Sequence, residues 1–354
     1  MASITSFLRP SLKLGTHSTS FKSSQCDWSA PGLIWFWSAT ITRLTNYIAP
    51  TALFRSWGGC LTAKLLDGSA VAKEIRAKIK TRIESLLPSV TKPYLVSILV
   101  GEDPASLAYL RKNEAACENV GIKFRSVALP EDSSQTSVEE SIQQLNADRS
   151  VTGILLHLPL PDGLNETVAL SAISTKKDVD GLNPCNLGLL VHKAAALIPC
   201  TPYGIIVLLK HYGLTLVSKH VVVINRSRPV GRPLSQLLLN EDATVTLCHS
   251  KTKDLAEISK TADLLVTGIG RRGEFVVGSN MIKPGAVVVD VGTSIVGGKI
   301  VGDVDFEAAI STASYVTPVP GGVGPMTTTM LLYNTLWAAC LQSKVQLGVE
   351  QLIA

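Results

Sequence analysis

The spacing of hydrophobic positions changes repeatedly along the chain, and each change marks an element. Over residues 69–87 (SAVAKEIRAKIKTRIESLL), Val71, Ile75, Ile79, Ile83 and Leu86 recur at helical spacing and give one apolar helix face. The run 94–100 is short and apolar and stops at Gly101, which reads as a strand. A helix over 105–119, a strand over 124–129, a helix over 137–146 and a strand over 153–158 follow. Pro159-Leu160-Pro161 then breaks the last strand at its carboxyl end, where open α/β sheets bind their ligands. Beyond Pro199-Cys200-Thr201-Pro202 a second series begins. It comprises helix 203–211, strand 221–224, helix 233–240, strand 244–247, helix 254–261 and strands 264–267 and 286–291, with a final helix over 327–341. Strands alternating with helices predict parallel sheets. We therefore expect an α/β fold in two domains, one built from 63–200 plus 326–354 and a doubly wound one from 201–325.

Composition changes that picture at one end only. The 354-residue chain is 46% hydrophobic and carries +5 overall, but residues 1–62 hold Arg9, Lys13, Lys22, Arg43 and Arg55 against Asp27, which is +4. The remaining 28 basic and 27 acidic residues leave about +1, so the body offers no basic face for nucleic acid. The tail is rich in Ser and Thr and poor in acids, the composition of an organellar transit peptide. Its apolar run, Gly32-Leu33-Ile34-Trp35-Phe36-Trp37, is far shorter than the roughly 20 residues a membrane span requires. The expectation is import into the mitochondrial matrix, with the chloroplast stroma as the alternative; Arg55-Ser56-Trp57-Gly58 resembles an arginine-directed cleavage point. Cys26, Cys60, Cys117, Cys185, Cys200, Cys248 and Cys340 are scattered and odd in number, which predicts reduced, mostly buried thiols and no metal site.

Three stretches carry candidate chemistry. In Val221-Val222-Val223-Ile224-Asn225-Arg226-Ser227-Arg228-Pro229-Val230-Gly231-Arg232-Pro233 a buried strand turns into a helix, whose first N–H groups are free to bind a phosphate, with Arg226 to pair with a ribose phosphate. Ser250, beside Lys251, ends the next strand, where a second group would help select NADP over NAD, although the stretch suits a plain strand–helix turn as well. Lys177-Asp178-Val179-Asp180-Gly181-Leu182-Asn183-Pro184 offers carboxylates to the amino group and ring nitrogen of a pterin-like ligand, although its residues suit a solvated turn as well. In 315–327 (YVTPVPGGVGPMT), three prolines and three glycines make a rigid wall suited to a flat ligand, or a domain-crossing turn.

Taken together, GEDPASLAYL (101–110), GILLHLPLP (153–161), KDVDGLNP (177–184), PCTP (199–202) and TPVPGGVGPMT (317–327) resemble the bifunctional FolD family from about Lys64 to Ala339. The resemblance implies an N-terminal catalytic domain and a Rossmann-like NADP-binding domain in a homodimer. It further implies oxidation of 5,10-methylenetetrahydrofolate with NADP, then hydrolysis of the methenyl product to 10-formyltetrahydrofolate. By the same resemblance Tyr109 lies along the folate and Asp180 holds the pterin. Leu156, Leu158, Pro320, Gly321, Gly322, Val323, Gly324, Pro325, Met326 and Thr327 line the folate side, while Asn225, Arg226, Ser227, Gly231, Ser250 and Thr293 contact NADP.

Two departures bear on the second step. Four residues after the tyrosine the family carries a lysine, where this chain has Asn113, with Lys112 one place earlier and so rotated by about 100° on a helix. The lysine's glutamine partner is replaced by His157, which either titrates near neutrality and supplies acid–base function or is simply a strand-end histidine. A third change, glycine to Asn225 at the cofactor turn, is expected to be mild because asparagine tolerates positive φ. The alternative reading is a folate- and NADP-binding paralogue with weakened catalysis that acts as a partner subunit.

Overall fold

The first strand, β1 (Lys64–Leu65), joins a sheet made almost entirely of residues far along the chain. It is parallel to β11 (Tyr315–Val316), with Lys64 opposite Tyr315 and Leu65 opposite Val316. Residues 64–65, expected in the first domain, thus pair with the second sheet. A two-residue strand has no pattern of its own, and β11 supplies the template. The computed structural model describes residues 62–86, 90–194, 197–345 and 350–353. The expected leader, apart from residue 62, lies outside these, as do Cys26 and Cys60.

After β1 come α1 (Gly68–Leu86), β2 (Tyr94–Val100), α2 (Pro104–Val120), β3 (Lys123–Leu129), α3 (Gln135–Ala147) and β4 (Gly153–Leu156). The strands form a three-stranded parallel sheet in the order β3-β2-β4. Every residue of the central β2 is buried, as expected of a strand covered on both faces. Helix α2 has strong end signals: the Asp103 side chain accepts from the Ser106 N–H at 2.7 Å, Pro104 follows, and Gly121 closes the helix at φ 84°. Strand β4 stops at Leu156, two residues short of the expected end. Alongside it Ile154 bridges in parallel to Asp178, so the acidic stretch is seated against the sheet.

Helices α4 (Glu166–Ala172), α5 (Pro184–Val191) and α6 (Cys200–His211) lead to β5 (His220–Ile224), α7 (Gly231–Asn240), β6 (Thr244–Cys248), α8 (Leu255–Ser259), β7 (Leu264–Thr267) and β8 (Val287–Asp290). A hairpin of β9 (Ser294–Val296) and β10 (Lys299–Val301), then α9 (Phe306–Thr312), β11 (Tyr315–Val316), α10 (Val323–Gln342) and α11 (Glu350–Ile353), complete the described elements. The second sheet is parallel throughout, in the order β1-β11-β8-β7-β5-β6, so the chain reverses direction across the sheet around β5. That reversal opens a crevice at the carboxyl ends of β5 and β7.

Helix α10 is buried on almost all sides and packs chiefly on α6 and α1, with further contacts to α2, β2 and β4. Its close approach to α6 requires Gly204, where a Cβ would stand 3.0 Å from that of Met326. Cys117, Cys200, Cys248 and Cys340 are buried free thiols, whereas Cys185 is exposed.

Candidate functional site

A cavity of about 350 Å³ opens where α2, the end of β4, the 177–182 stretch and the start of α6 converge. Tyr109, Leu156, His157, Leu158, Asp180 and Thr327 line it together, joined by Cys200, Thr201 and, from the cofactor turn, Pro229. Cys200 and Thr201 were not singled out from the sequence; their part comes from the helix that PCTP begins. Thr201 and Thr327 tie α6 to α10 through a 3.0 Å hydroxyl contact.

The acidic stretch is built from beneath. Lys177 is buried, and its Nζ donates to the carbonyls of Leu145, Asn146 and Asp148 at 2.9, 2.9 and 2.7 Å, closing the end of α3. Asp178 is buried too. Its carboxylate accepts from the N–H groups of Leu182 and Asn183 at 3.2 and 2.8 Å and from Asn186 Nδ2 at 2.8 Å. Asp178 therefore organises the loop, and Asp180 faces the cavity. Burial, reinforced by the Asp178 carboxylate, pushes the Asp180 carboxyl up to about 7, while the Cys200 thiol beside it opposes the shift.

Tyr109 lies half-buried over this cavity with its ring edge-on to His157, centroids 5.7 Å apart. Burial, then the nearby Asp180, keeps its phenol protonated well above the ordinary range. The hydroxyl faces Asn113 and Thr328. Neither reaches good hydrogen-bonding geometry, so both polar atoms of the Asn113 amide and the Thr328 hydroxyl are buried without a partner among the described residues. Lys112 is exposed and does not line the cavity, as the helical rotation predicts.

His157 departs from expectation. It is 4% exposed, its Nε2 lies 2.6 Å from Ser97 Oγ, and burial lowers its pKa to about 4. The imidazole is therefore neutral at physiological pH and does not titrate near neutrality, because no charged partner offsets the loss of water.

Of the 320–327 stretch, Thr327 is the residue that lines this cavity. Gly321 carbonyl accepts from the Ser69 N–H at 2.9 Å, and a Cβ on Gly68 would stand 1.8 Å from the Gly322 carbonyl oxygen. Here Gly68 of α1 lets the loop pack onto that helix. Val323 and Met326 are in the core, Pro325 carbonyl accepts from Arg76 Nη2 at 3.1 Å, and Pro320 and Gly324 are exposed.

At the cofactor turn, Asn225 does not have positive φ. Its side chain does the work instead. Oδ1 accepts from the N–H groups of Ser227 and Gly231 at 2.7 and 3.1 Å, and Nδ2 donates to the Gly268 carbonyl across the crevice. Ser227 Oγ accepts from Val230 N–H at 3.3 Å, and the Ser227 carbonyl from Arg232 N–H at 3.1 Å. The N–H groups expected to be free for a phosphate are thus engaged within the turn. Exposed guanidinium groups remain: those of Arg226, Arg232 and Arg228, the last reaching Thr167 Oγ1 and lying 3.7 Å from Glu166. Ser250 and Thr293 are exposed at the ends of β6 and β8. A cationic, strand-end crevice suits a phosphorylated dinucleotide.

Known proteins resemble the chain across both of its α/β parts. The tetrahydrofolate dehydrogenase/cyclohydrolase catalytic-domain family matches residues 66–180, and the NAD(P)-binding domain of the same family matches 199–343. A bifunctional protein FolD of Nitrosopumilus maritimus is 46% identical over 285 residues, covering 80% of this chain and 99% of that protein. The crystal structure of the bifunctional FolD enzyme of Campylobacter jejuni superposes with a TM-score of 0.76 at 44% identity, over 78% of this chain and 98% of that one. The Trypanosoma brucei FolD, complexed with NADP and an inhibitor, gives 0.75 at 38% identity, over 78% and 97%.

The role expected of Asp180 predicts a pH signature. Only the ionised carboxylate offers two charged acceptor oxygens to a pterin's amino group and ring N–H, so folate affinity should rise as pH climbs through about 7 and level off above it. Asp180→Asn should flatten that dependence and raise the KM for folate about 10- to 150-fold, since a charge-assisted bond is worth about 1.5–3 kcal/mol. Initial rates from pH 6 to 8.5 at saturating NADP test this; an unchanged KM in the variant would remove Asp180 from the role.

Proposed function

This chain belongs to the tetrahydrofolate dehydrogenase/cyclohydrolase family, and we propose that it oxidises 5,10-methylenetetrahydrofolate to 5,10-methenyltetrahydrofolate with NADP and hydrolyses the product to 10-formyltetrahydrofolate more weakly. The observation that carries the reading is Tyr109, His157, Asp180 and Thr327 sharing one cavity whose rim includes Pro229 of the cofactor turn. Asp180 holds the pterin and Tyr109 lies along the rest of the folate. Arg226, Ser227 and Ser250 hold the phosphate end of NADP, the cofactor that supplies hydride acceptance. The chain's own part in the oxidation is alignment and exclusion of water.

Hydrolysis asks for more, because a water must be deprotonated beside the one-carbon unit. Asn113 is a buried neutral amide with no partner among the described residues, and His157 is neutral and held by Ser97. The same two residues favour the second reading, a catalytically weakened partner subunit. Each transition-state hydrogen bond of this kind is worth about 2.7–4 kcal/mol, or roughly 100- to 1,000-fold in rate. On the purified chain we expect NADPH formation to outrun methenyl hydrolysis, and Asn113→Lys with His157→Gln to raise hydrolysis by at least about 100-fold. Equal rates in the unaltered chain, with no gain in the variant, would refute this account; a chain inactive in both assays would favour the partner-subunit reading.

The assembly is proposed to be a homodimer. Support comes from the β9–β10 hairpin, where Ile295, Val296 and Ile300 are 76%, 51% and 49% exposed, a clustering that marks an interaction surface. Ile295→Asp with Ile300→Asp should halve the mass measured by sedimentation; an unchanged mass refutes use of this surface.

Residues 1–62 are proposed to direct import into the mitochondrial matrix, or alternatively the chloroplast stroma, on their composition and because the family match begins at residue 66. None of the helices among the described residues is long and apolar enough to cross a membrane. Fused to a fluorescent protein, residues 1–62 should carry it into an organelle, and a purely cytosolic signal would refute both destinations.

A further inference from the structure

Two carboxylates outside the residues considered so far lie side by side at the carboxyl end of the six-stranded sheet. Asp290 ends β8 and is 3% exposed; Asp303 follows β10 and is fully buried. Neither forms an ion pair among the described residues. Both are spent on backbone N–H groups and one threonine hydroxyl. Asp303 Oδ2 accepts from Thr267 Oγ1 at 3.0 Å and from the Ile269 N–H at 2.5 Å, and its Oδ1 from the Gly270 N–H at 2.9 Å. Asp290 Oδ1 accepts from the N–H groups of Gly292 and Asp303 at 2.9 and 3.1 Å, and its Oδ2 from Val304 N–H at 2.8 Å.

The pair therefore links three segments: the turn after β7, the turn after β8, and the backbone at 303–304. Packing admits no slack. A Cβ on Gly292 would fall 2.2 Å from the Asp303 carboxyl carbon, and one on Gly302 would fall 2.0 Å from Asp290 Oδ2. From the outer side Arg272 Nη1 donates to the carbonyls of Gly302 and Val304 at 3.2 and 2.6 Å.

The position of these turns gives the pair its meaning. Gly268, next to Ile269, accepts from Asn225 of the cofactor turn, and a Cβ on Gly270 would stand 3.2 Å from the Thr293 carbonyl. The two turns thus form one wall of the crevice, on the side of β5 away from β6. Arg226 and Ser250 are on the β5 and β6 side. A dinucleotide whose phosphate-bearing adenosine lies there extends its nicotinamide toward the wall that Asp290 and Asp303 hold.

We infer that Asp290 and Asp303 are positioning residues for the nicotinamide half of NADP, acting through the 268–270 and 292–293 turns. This rests on the NADP-dependent dehydrogenase reading. Carboxylates are required because the groups pointing at each of them are all donors. An amide would keep one acceptor oxygen and turn its NH₂ against the rest.

The test compares Asp303→Asn and the milder Thr267→Val, which keeps the carboxylate and removes one donor to it, with the unaltered chain. Dehydrogenase kcat is measured alongside the dissociation constants of NADP and of 2′,5′-ADP, which lacks the nicotinamide. In Asp303→Asn, kcat should fall at least about tenfold, because hydride transfer depends on ring alignment. NADP should lose most of its affinity advantage over 2′,5′-ADP, whose binding should stay within about twofold, as should the KM for folate. Thr267→Val should move the same quantities in the same direction by less, and it carries the test if Asp303→Asn does not fold. Unchanged kcat and NADP preference, or equal loss of NADP, 2′,5′-ADP and folate affinity, would overturn the inference. An unaltered chain that binds NADP no better than 2′,5′-ADP would instead defeat the dehydrogenase reading itself, and this inference with it.

Discussion

The cleft exists in its present form because α10 has no polar side to offer water. A helix apolar all round must be enclosed, and α10 is enclosed by α6 and α1, with Leu331, Leu332 and Leu336 at most 1% exposed. Each such side chain contributes about 1.5–3 kcal/mol on burial, so the helix fixes its neighbours firmly. Besides placing Thr327 in the cavity, the helix reaches the site through a buried amide. Asn334 Nδ2 donates to the carbonyls of Val179 and Ile198, both at 2.8 Å, pinning together the residues that precede Asp180 and Cys200. Gly181, at φ +72°, makes the approach possible, since a Cβ there would lie 2.5 Å from the Ile198 carbonyl carbon.

Once these groups are withdrawn from water, desolvation decides their protonation, and it acts in opposite senses on acids and bases. It raises Asp180 to about 7 and lowers His157 to about 4. Asp178 is more deeply buried but has backbone and amide donors around it, which oppose the rise. A single packing constraint thus yields a carboxyl poised at neutrality beside a neutral imidazole, and it leaves the structural acid and the ligand-facing acid with distinct duties two residues apart.

The longer elements were legible in the sequence because their periodicity extends over many residues. The helix expected over 69–87 runs from Gly68 to Leu86, and the helix expected over 105–119 runs from Pro104 to Val120. Elements held by tertiary context were not legible: β1 and β11 have two residues each, and α4, α5 and α9 have seven or eight, too few to show a period. At the site, Tyr109, Asp180 and His157 could be found from motif resemblance. The chemistry of His157 could not, since a pKa depends on the company a side chain keeps. Glycines misled in a consistent way. Those of 321–322 suggest room for a ligand, but a Cβ on Gly322 would meet Thr317 and Pro318 of its own loop, and those of 292 and 302 suggest open turns but admit two carboxylates.

The two departures at the cleft affect the two proposed steps unequally for an electrostatic reason. Oxidation of the methylene bridge leaves a positive charge shared between the two folate nitrogens. A fixed ammonium near that carbon opposes its formation, and a neutral amide at 113 does not. Hydrolysis runs the other way, consuming the charge as water adds and requiring that a proton leave. Burying a lysine there is costly unless a partner accepts its hydrogen bonds, which ties the identity of residue 113 to that of residue 157. Here the pair is neutral: Asn113 is fully buried, and His157 is committed to Ser97. Such a pair demands little stabilisation from its surroundings and leaves Asp180 as the titrating group facing the cavity near neutral pH. The geometry therefore supports alignment more strongly than proton removal, and alignment is what the hydride step uses.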